Sequence, residues 1–399
     1  MEEKWLENGR IYVWGGGWRG RQICSFLRLA GKKAEYIIDN DKSLHGNKIE
    51  GIRIVGFDSI VSILDQTDTI IIGTYTTVRE QQIREQIQDS GFRGTVWGSM
   101  AFHDKFEIPY YCCRAERYAY RTEFSDNLQG WLDHILEEVE FWNKEAAKPQ
   151  GKHYQHYLER IRPKEFACGR IKDKVKDGDV ILDVGSGICS QYGNRLSKTE
   201  EIILKGVDPL ASFYNRINQR FAKEHELDFP IAPVEFGFFE LLSFQYGNAY
   251  SDHILIDNAL DHCIDPFTAI MECLRVLKVG GTLSMAHHVD EAYKAFYSGL
   301  HQWNICCDEN HDFIIWNEKS YINVTRELSE YAEIQTSREM INSDVTPFGI
   351  VICNLVKKKE IPGEYFTDER EKAGMLMEGF MGKLADLEFA LDYLKIMVL

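Results

Sequence analysis

At 399 residues the chain is long enough for two or three domains with ample core. Its 44% apolar and 27% charged content is that of an ordinary globular protein. A net charge of −16 argues against nucleic acid as a partner, because phosphate binding needs a basic face. The ten cysteines include no CxxC and two adjacent pairs, Cys112–Cys113 and Cys306–Cys307, so reduced thiols are expected rather than a disulfide framework or a zinc cluster. Glu2 and Glu3 with no apolar stretch behind them predict no signal peptide, and no apolar run is long enough to span a bilayer. A cytoplasmic location is the expectation.

Residues 10–99 carry a βα pattern of their own. Arg10 to Trp14 reads as a strand. Gly15-Gly-Gly-Trp-Arg-Gly20 follows as a literal G-x-G-x-x-G, then a helix to about Ala30 and a strand from Ala34 to Ile38 ending on Asp39. That spacing fits a dinucleotide fingerprint, with phosphate at a helix N-terminus and an acid for a ribose. Further strands are expected at Thr69–Ile72 and Thr95–Trp97. The module has about half the length of a full dinucleotide fold. In Ile37-Ile-Asp-Asn-Asp41 and Lys48-Ile-Glu-Gly-Ile-Arg-Ile-Val55 it resembles small Rossmann-like domains that accompany sugar acyltransferases and some methyltransferases of polysaccharide pathways. Two readings stand: a nucleotide or nucleotide-sugar site at Gly15, Gly17, Gly20 and Asp39, or a degenerate scaffold that binds nothing. A redox NAD site is disfavoured, since no domain suited to hydride chemistry follows.

From Phe102 to Arg121 periodicity fades and the chain reads as a connector rich in Tyr, Cys and Arg. Leu128, Trp131, Ile135, Val139 and Trp142 then recur at helical spacing, and Pro149-Gln-Gly ends that helix. In Tyr154–Phe166, Tyr154 and Arg160 read plainly as helix-surface residues.

Asp179 to Gly193, Asp-Val-Ile-Leu-Asp-Val-Gly-Ser-Gly-Ile-Cys-Ser-Gln-Tyr-Gly, organises the rest. Val180–Leu182 and Val184 read as a strand buried on both faces, of the kind a parallel sheet provides. It breaks on Asp183, Gly185 and Gly187, where glycines let the backbone approach a ligand closely. A second strand, Ile202 to Val207, ends on Asp208, the position at which α/β sheets hold a ribose. The helix Ser212–His225 turns Phe213, Ile217 and Phe221 to the core. A strand from His253 to Ile256 ends in Asp257-Asn258. Asp265-Pro266 reads as a helix N-cap, and Gly280-Gly281 as that helix's end, giving a last strand Leu283–Ala286 that delivers His287 and His288 to the sheet's carboxyl edge.

Asp183-Val-Gly-Ser-Gly187 resembles the first motif of class I S-adenosylmethionine (SAM) methyltransferases, and Asp208 their second. Asp252 to Pro266 and Glu272 to Gly281 are similar to the fourth and fifth. The resemblance covers residues 151–358 and implies an α/β, doubly wound Rossmann-like methyltransferase domain. A smaller Rossmann-like domain (1–102), a connector with an amphipathic helix (103–150) and a helical tail (359–399) complete the expected chain. It implies SAM as cofactor, with Asp183, Gly185, Ser186, Gly187, Asp208, Pro209, Asp257 and Asn258 around it, and Tyr154 and Arg160 as candidates to reach its carboxylate. The pattern departs at the adenine position, where Gly237 is followed by Phe238 and Phe239 and the acid Glu240 is displaced. Adenine is then held by a backbone amide or by Glu240.

A hydroxyl acceptor must lose a proton as it is methylated, and a histidine suits that role. His287 and His288 are the first candidates, His262 and Asp261 the next. The aromatic and polar Tyr297–Asn304 segment fits a sugar and is similar to a Leu-His-Gln-Trp-Asn segment in methyltransferases of surface-polysaccharide clusters. It nominates His301, Gln302, Trp303 and Asn304 for the acceptor. A zinc site from His287, His288, His301 and His311 lacks Cys/His spacing, and no metal is expected. In the tail, Met377, Phe380, Leu384, Leu387, Leu391, Leu394 and Val398 form a short heptad seam. It either docks on its own domain or, by the favoured reading, pairs two chains in a homodimer. The sequence thus predicts O-methylation of a nucleotide-linked or surface-glycan sugar. A non-catalytic nucleotide-binding scaffold and an NAD-dependent enzyme are the alternatives.

Overall fold

The computed structural model describes residues 9–115, 124–148, 152–193, 195–196, 201–340, 348–361, 372 and 374–383. The chain divides into two compact units, Met1–Arg114 with Met340–Gly349, and Ala115–Glu339 with Ile350–Leu399. Met340–Gly349 therefore groups with the first unit and not with the 151–358 segment.

In the first unit the strands β1 (Ile11–Trp14), β2 (Ala34–Ile38), β3 (Lys48–Ile49), β4 (Ile52–Val55), β5 (Thr69–Ile72) and β6 (Thr95–Trp97) form one sheet in the order β3-β4-β2-β1-β5-β6. All but β3 run parallel. The inner strands β1 and β5 are buried at every position, and both are apolar apart from Thr69 at the start of β5. The connector expected after Phe102 is helical instead. Helices Ser99–Phe102 and Ile108–Ala115 are joined by a widened π-type turn at His103–Glu107. Two features override the weak periodicity. Phe102 and Phe106 enter the core beside Phe26 and Trp97. Glu107, wholly buried, takes two guanidinium hydrogen bonds from Arg19 (3.0 and 2.6 Å) and pairs with His103 Nδ1 at 2.8 Å. Burial pushes the Glu107 carboxyl up, but the charges of Arg19 and His103 outweigh it and hold its pKa down to about 2.

The second unit is built on β7 (Val180–Val184), β8 (Ile203–Asp208), β9 (Val234–Phe236), β10 (Ser251–Asp257) and β11 (Leu277–His288). The antiparallel strands β12 (Asn304–Cys307), β13 (Phe313–Trp316) and β14 (Tyr321–Asn323) form a separate three-stranded sheet. Finally β15 (Ala332–Glu339) and β16 (Ile350–Lys357) complete the main sheet, in the order β15-β16-β11-β10-β7-β8-β9. The first five strands are parallel, and β16 runs against β11. Two expectations change here. The helix Pro266–Val276 ends before Gly280, and β11 already starts at Leu277, passing through Gly280 at φ +84° with a register shift against β10. The N-cap is as expected, with Asp265 accepting from the Thr268 amide at 3.1 Å and Pro266 in the first turn.

Helix Phe124–Ala146 lays Leu128, Trp131, Ile135 and Val139 on Phe213, Ile217 and Phe221 of helix Ala211–Glu224. Phe380 of the tail packs on Trp131 and Phe238 of its own unit (ring centroids 5.9 and 5.1 Å), while Met377 is exposed. At Phe380 the seam is therefore an internal contact. Leu384, Leu387, Leu391, Leu394 and Val398 lie outside the described residues. No helix among the described residues is long and apolar enough to cross a membrane.

Candidate active site

Strand order alone locates a ligand crevice. The chain leaves β7 toward β8 and β9 on one side and later fills β10 and β11 on the other, so a switch point opens at the carboxyl ends of β7 and β10. Asp183 and Asp257 stand there, with Asp208 one strand over. The turn after β7 places Gly185 at φ +72° and Gly187 at φ +61°, conformations that suit glycine. A Cβ on Gly185 would stand 2.5 Å from that of Ala259 and 2.8 Å from the Phe239 ring, and one on Gly187 would lie 3.2 Å from the Trp142 indole. Arg160 fastens the same turn, donating to the Ser186 carbonyl at 2.9 Å and the Cys189 carbonyl at 3.3 Å while stacking on Trp142. It holds the loop with two of the guanidinium's five N–H donors. Tyr154, the other residue expected to face a cofactor carboxylate, packs on Phe221 and His225.

Asp208 accepts from the Gly187 amide at 3.1 Å and the Leu210 amide at 2.9 Å. A carboxylate has about four lone-pair positions, so two are left over from these amides. Pro209, half-buried, carries the chain from Asp208 into the next helix. Ser186 is buried with its hydroxyl turned under Gly206. Burial pushes Asp183 up to about 7, with the charge of Asp257 adding to it, and pushes Asp208 to about 7 despite its two amide bonds. Asp257 is held by Arg170 (2.5 Å), Gln191 (2.7 Å) and the Tyr192 hydroxyl. Burial drives the Tyr192 phenol pKa well up, and Asp257 adds to the shift. None of these three partners was legible in the sequence, because Arg170 belongs to no motif and the other two read as loop. Asn258 follows in a left-handed conformation and accepts from the His288 amide at 3.1 Å.

Glu240 does not present an adenine contact. Its buried carboxylate accepts from the amides of Ile264 (2.8 Å) and Asp265 (3.2 Å), and burial pushes it up to about 7. Phe238 is core, against Trp131 and Phe236.

A second feature lies beside this crevice's strand ends. Asp261 and His262 form a short turn after β10, and His301 arrives from the segment before β12. His301 Nδ1 is 2.8 Å from Asp261 Oδ2, and His262 Nε2 is 3.1 Å from His301 Nδ1. Burial raises the Asp261 carboxyl, but the charges of His262 and His301 overcome it and hold its pKa down to about 2. Burial pulls His301 down, but the hydrogen bond and charge of Asp261, with the charges of Glu291 and Glu138, together outweigh it and leave its pKa raised. His262 opens onto a cavity of about 230 Å³ whose wall includes Asn127, Trp131, His134, Gln302 and Trp303. The wall contributed by helix Phe124–Ala146 was missed, because Asn127 and His134 carry no pattern of their own among its apolar positions.

The other candidates separate. Gln302 donates to the carbonyls of Tyr297 (3.0 Å) and Gly299 (2.8 Å), and Trp303 Nε1 to the Cys263 carbonyl at 3.1 Å, so both are fixed on the wall. Asn304 is buried and spent on the Tyr293 amide and the Tyr297 hydroxyl, which makes it a structural residue. His287 is buried with both ring nitrogens lacking hydrogen-bond partners among the described residues, and burial lowers its pKa to about 4. It is a weak base as placed. His288 pairs with Glu291 at 3.2 Å. Of the histidines singled out from the sequence, His262 and His301 touch each other, and His287 lies close enough to Asp261 for their charges to interact.

In the first unit, Gly15 at φ +130° lets helix Trp18–Leu29 start close under β1, and a Cβ on Gly20 would run into the Gly15 carbonyl. Gly17 faces open space. Asp39 accepts from the amides of Gly16 (2.6 Å) and Asp41 (2.8 Å). Arg19, within the glycine loop, turns inward to Glu107.

Residues 182–285 match the family model described as a methyltransferase domain, and this stretch holds both acids, the glycine turn and the β10 end. The domain implies S-adenosyl-L-methionine as the cofactor. No curated protein matches the chain. Solved structures similar to it include the CurJ carbon methyltransferase, at 14% identity over 47% of this chain and 51% of that one, with a TM-score of 0.34. This chain thus spans about half of that protein's length. Others are a SAM-dependent methyltransferase from Methanosarcina mazei (18% identity, 49% and 100% covered, TM-score 0.33) and the N-methyltransferase NodS from Bradyrhizobium japonicum with S-adenosyl-L-homocysteine (12%, 56% and 99%, TM-score 0.31).

The acids fit the cofactor. Two buried carboxyls pushed up to about 7 make a wall that a ligand carrying sulfonium and ammonium charges relieves.

Proposed function

We propose that the protein methylates a small polar acceptor, a hydroxyl of a nucleotide-linked or surface-glycan sugar, with SAM as donor. When bound, SAM supplies an electrophilic methyl group on a sulfonium. Asp208 holds the ribose by its remaining lone pairs, Asp183 faces the cationic end, and the Gly185–Gly187 turn lets the backbone approach. The acceptor occupies the cavity beside His262, and the Asp261–His262–His301 cluster is where its hydroxyl is activated.

The observation that carries the reading is the pairing of this cavity with the switch-point acids in one unit. Its volume of about 230 Å³ is below the roughly 300 Å³ at which pockets for drug-sized ligands begin, so a group the size of one sugar ring suits it. Trp131 and Trp303, both buried, line it with apolar surface, and Asn127, His134 and Gln302 line it with polar groups, a combination that suits a sugar. The test is mass spectrometry of sugar nucleotides incubated with protein and SAM. A methyl mass gain is expected, and it disappears in Asp183→Ala and Asp208→Ala together with SAM binding. Calorimetric SAM titrations unchanged in both variants would refute the assigned pocket.

A further inference from the structure

Three atoms meeting at His262, which lines the cavity, are spaced like one face of a coordination polyhedron. The edges of the triangle are 2.8 Å (Asp261 Oδ2 to His301 Nδ1), 3.1 Å (His301 Nδ1 to His262 Nε2) and 3.5 Å (His262 Nε2 to Asp261 Oδ2). Around a cation with bonds of about 2.1 Å, neighbouring ligand atoms stand about 3.0 Å apart in an octahedron and about 3.4 Å apart in a tetrahedron.

Hydrogen bonding alone leaves the cluster short of protons. An ionised Asp261 donates nothing, and a proton on His301 Nδ1 cannot point at both Asp261 Oδ2 and His262 Nε2. A second, independent sign is Asp261 Oδ1, which is buried without a hydrogen-bond partner among the described residues, on a residue only 2% exposed. Glu138 Oε1 lies 3.8 Å from His262 Nδ1, on the far side of the ring. At that distance the carboxylate acts through its charge and not through a hydrogen bond, favouring the tautomer with the proton on Nδ1 and the lone pair on Nε2.

We propose that Asp261, His262 and His301 bind one divalent first-row cation, in the range Mn²⁺ to Zn²⁺, and leave its remaining positions open to the cavity. Two imidazoles and one carboxylate favour such ions over Mg²⁺ or Ca²⁺, which take all-oxygen sets. The role of the cation rests on the function proposed above: an acceptor hydroxyl that completes its coordination is oriented and made more acidic. The binding of the cation does not depend on that role.

The test uses the full chain, freed of metal by a chelator and titrated with Co²⁺, with visible ligand-field absorption and calorimetry as readouts. One equivalent is expected to bind. Asp261→Asn, His262→Ala and His301→Ala are each expected to weaken binding by at least about tenfold, the loss that even outer-shell changes produce. His311→Ala, at an exposed residue outside the cluster, should bind as the wild type does. Circular dichroism and a parallel SAM titration of each variant identify any that fail to fold. His301→Ala serves if Asp261→Asn does not fold. Absence of Co²⁺ binding by the wild type, or equal binding by folded His262→Ala and His301→Ala, overturns the cation site. SAM binding retained in that case leaves the methyltransferase reading in place with a metal-free cluster. Co²⁺ binding without SAM binding supports the cation site and strikes at the methyltransferase reading instead.

Discussion

If Asp183 and Asp208 receive SAM as proposed, its affinity should climb steeply with pH, because burial raises both carboxyls toward neutrality. Burial pushes Asp183 and Asp208 up to about 7 each. A carboxyl with a pKa of about 7 is ionised in roughly one molecule in eleven at about pH 6 and roughly three in four at about pH 7.5. If the ligand's positive charge and ribose hydroxyls require both ions, each contributes about eightfold, and together about sixtyfold, over that interval. The assay is calorimetric titration with SAM at about pH 6, 6.5, 7 and 7.5. Repeating it in buffers of different ionisation enthalpy counts the protons released. Asp183→Asn should bind more weakly throughout and keep only about an eightfold dependence. A wild-type affinity flat within about twofold across the interval, with no proton release, would show that these carboxyls are already ionised and that the burial argument fails.

Other outcomes follow from the same geometry. Glu240 is pushed above its unfolded value to about 7, so its contribution to stability is fully present below about pH 4.5 and declines as pH rises toward 7; Glu240→Gln should flatten that part of the melting-temperature profile, and an unchanged profile would contradict the assignment. Gly185→Ala places a Cβ against Ala259 and Phe239 in a left-handed conformation, and should cost about 2–5 kcal/mol by denaturant titration. A loss below about 1 kcal/mol would mean that the turn yields. Glu107→Gln leaves the Arg19 guanidinium buried without its counter-ion and should lower stability by about 3–5 kcal/mol, read on the first unit's unfolding transition.

Much of the sheet was readable because its strands are short apolar runs punctuated by Gly and Asp. The observed strands Ala34–Ile38, Thr69–Ile72 and Val180–Val184 have the expected bounds. Gly280-Gly281 misled, because a glycine pair marks a helix end and a strand irregularity equally well; only the pairing of β11 with β10 separates them. The displaced acid Glu240 was visible, but its direction was not, since two amides ahead of helix Pro266–Val276 claim it. Asp261 and His262 were legible as a strand-end pair. Their partner His301 lies 40 residues on from Asp261 and 39 from His262, and only the tertiary fold brings it over. The cavity's other wall comes from a helix whose apolar stripe signalled packing and nothing else.

Arg160 ties three pieces of chain together: its own helix Lys152–Ile161, the carbonyls of the turn after β7, and the indole of Trp142. Those segments cannot open one at a time without giving up the guanidinium's bonds. Their slowest backbone amides should therefore trade protons for deuterium at a common rate, as a single cooperative block. Donor entry then becomes a question of how often that block breathes, and a ligand that rests on the turn should slow the exchange of a helix it never touches.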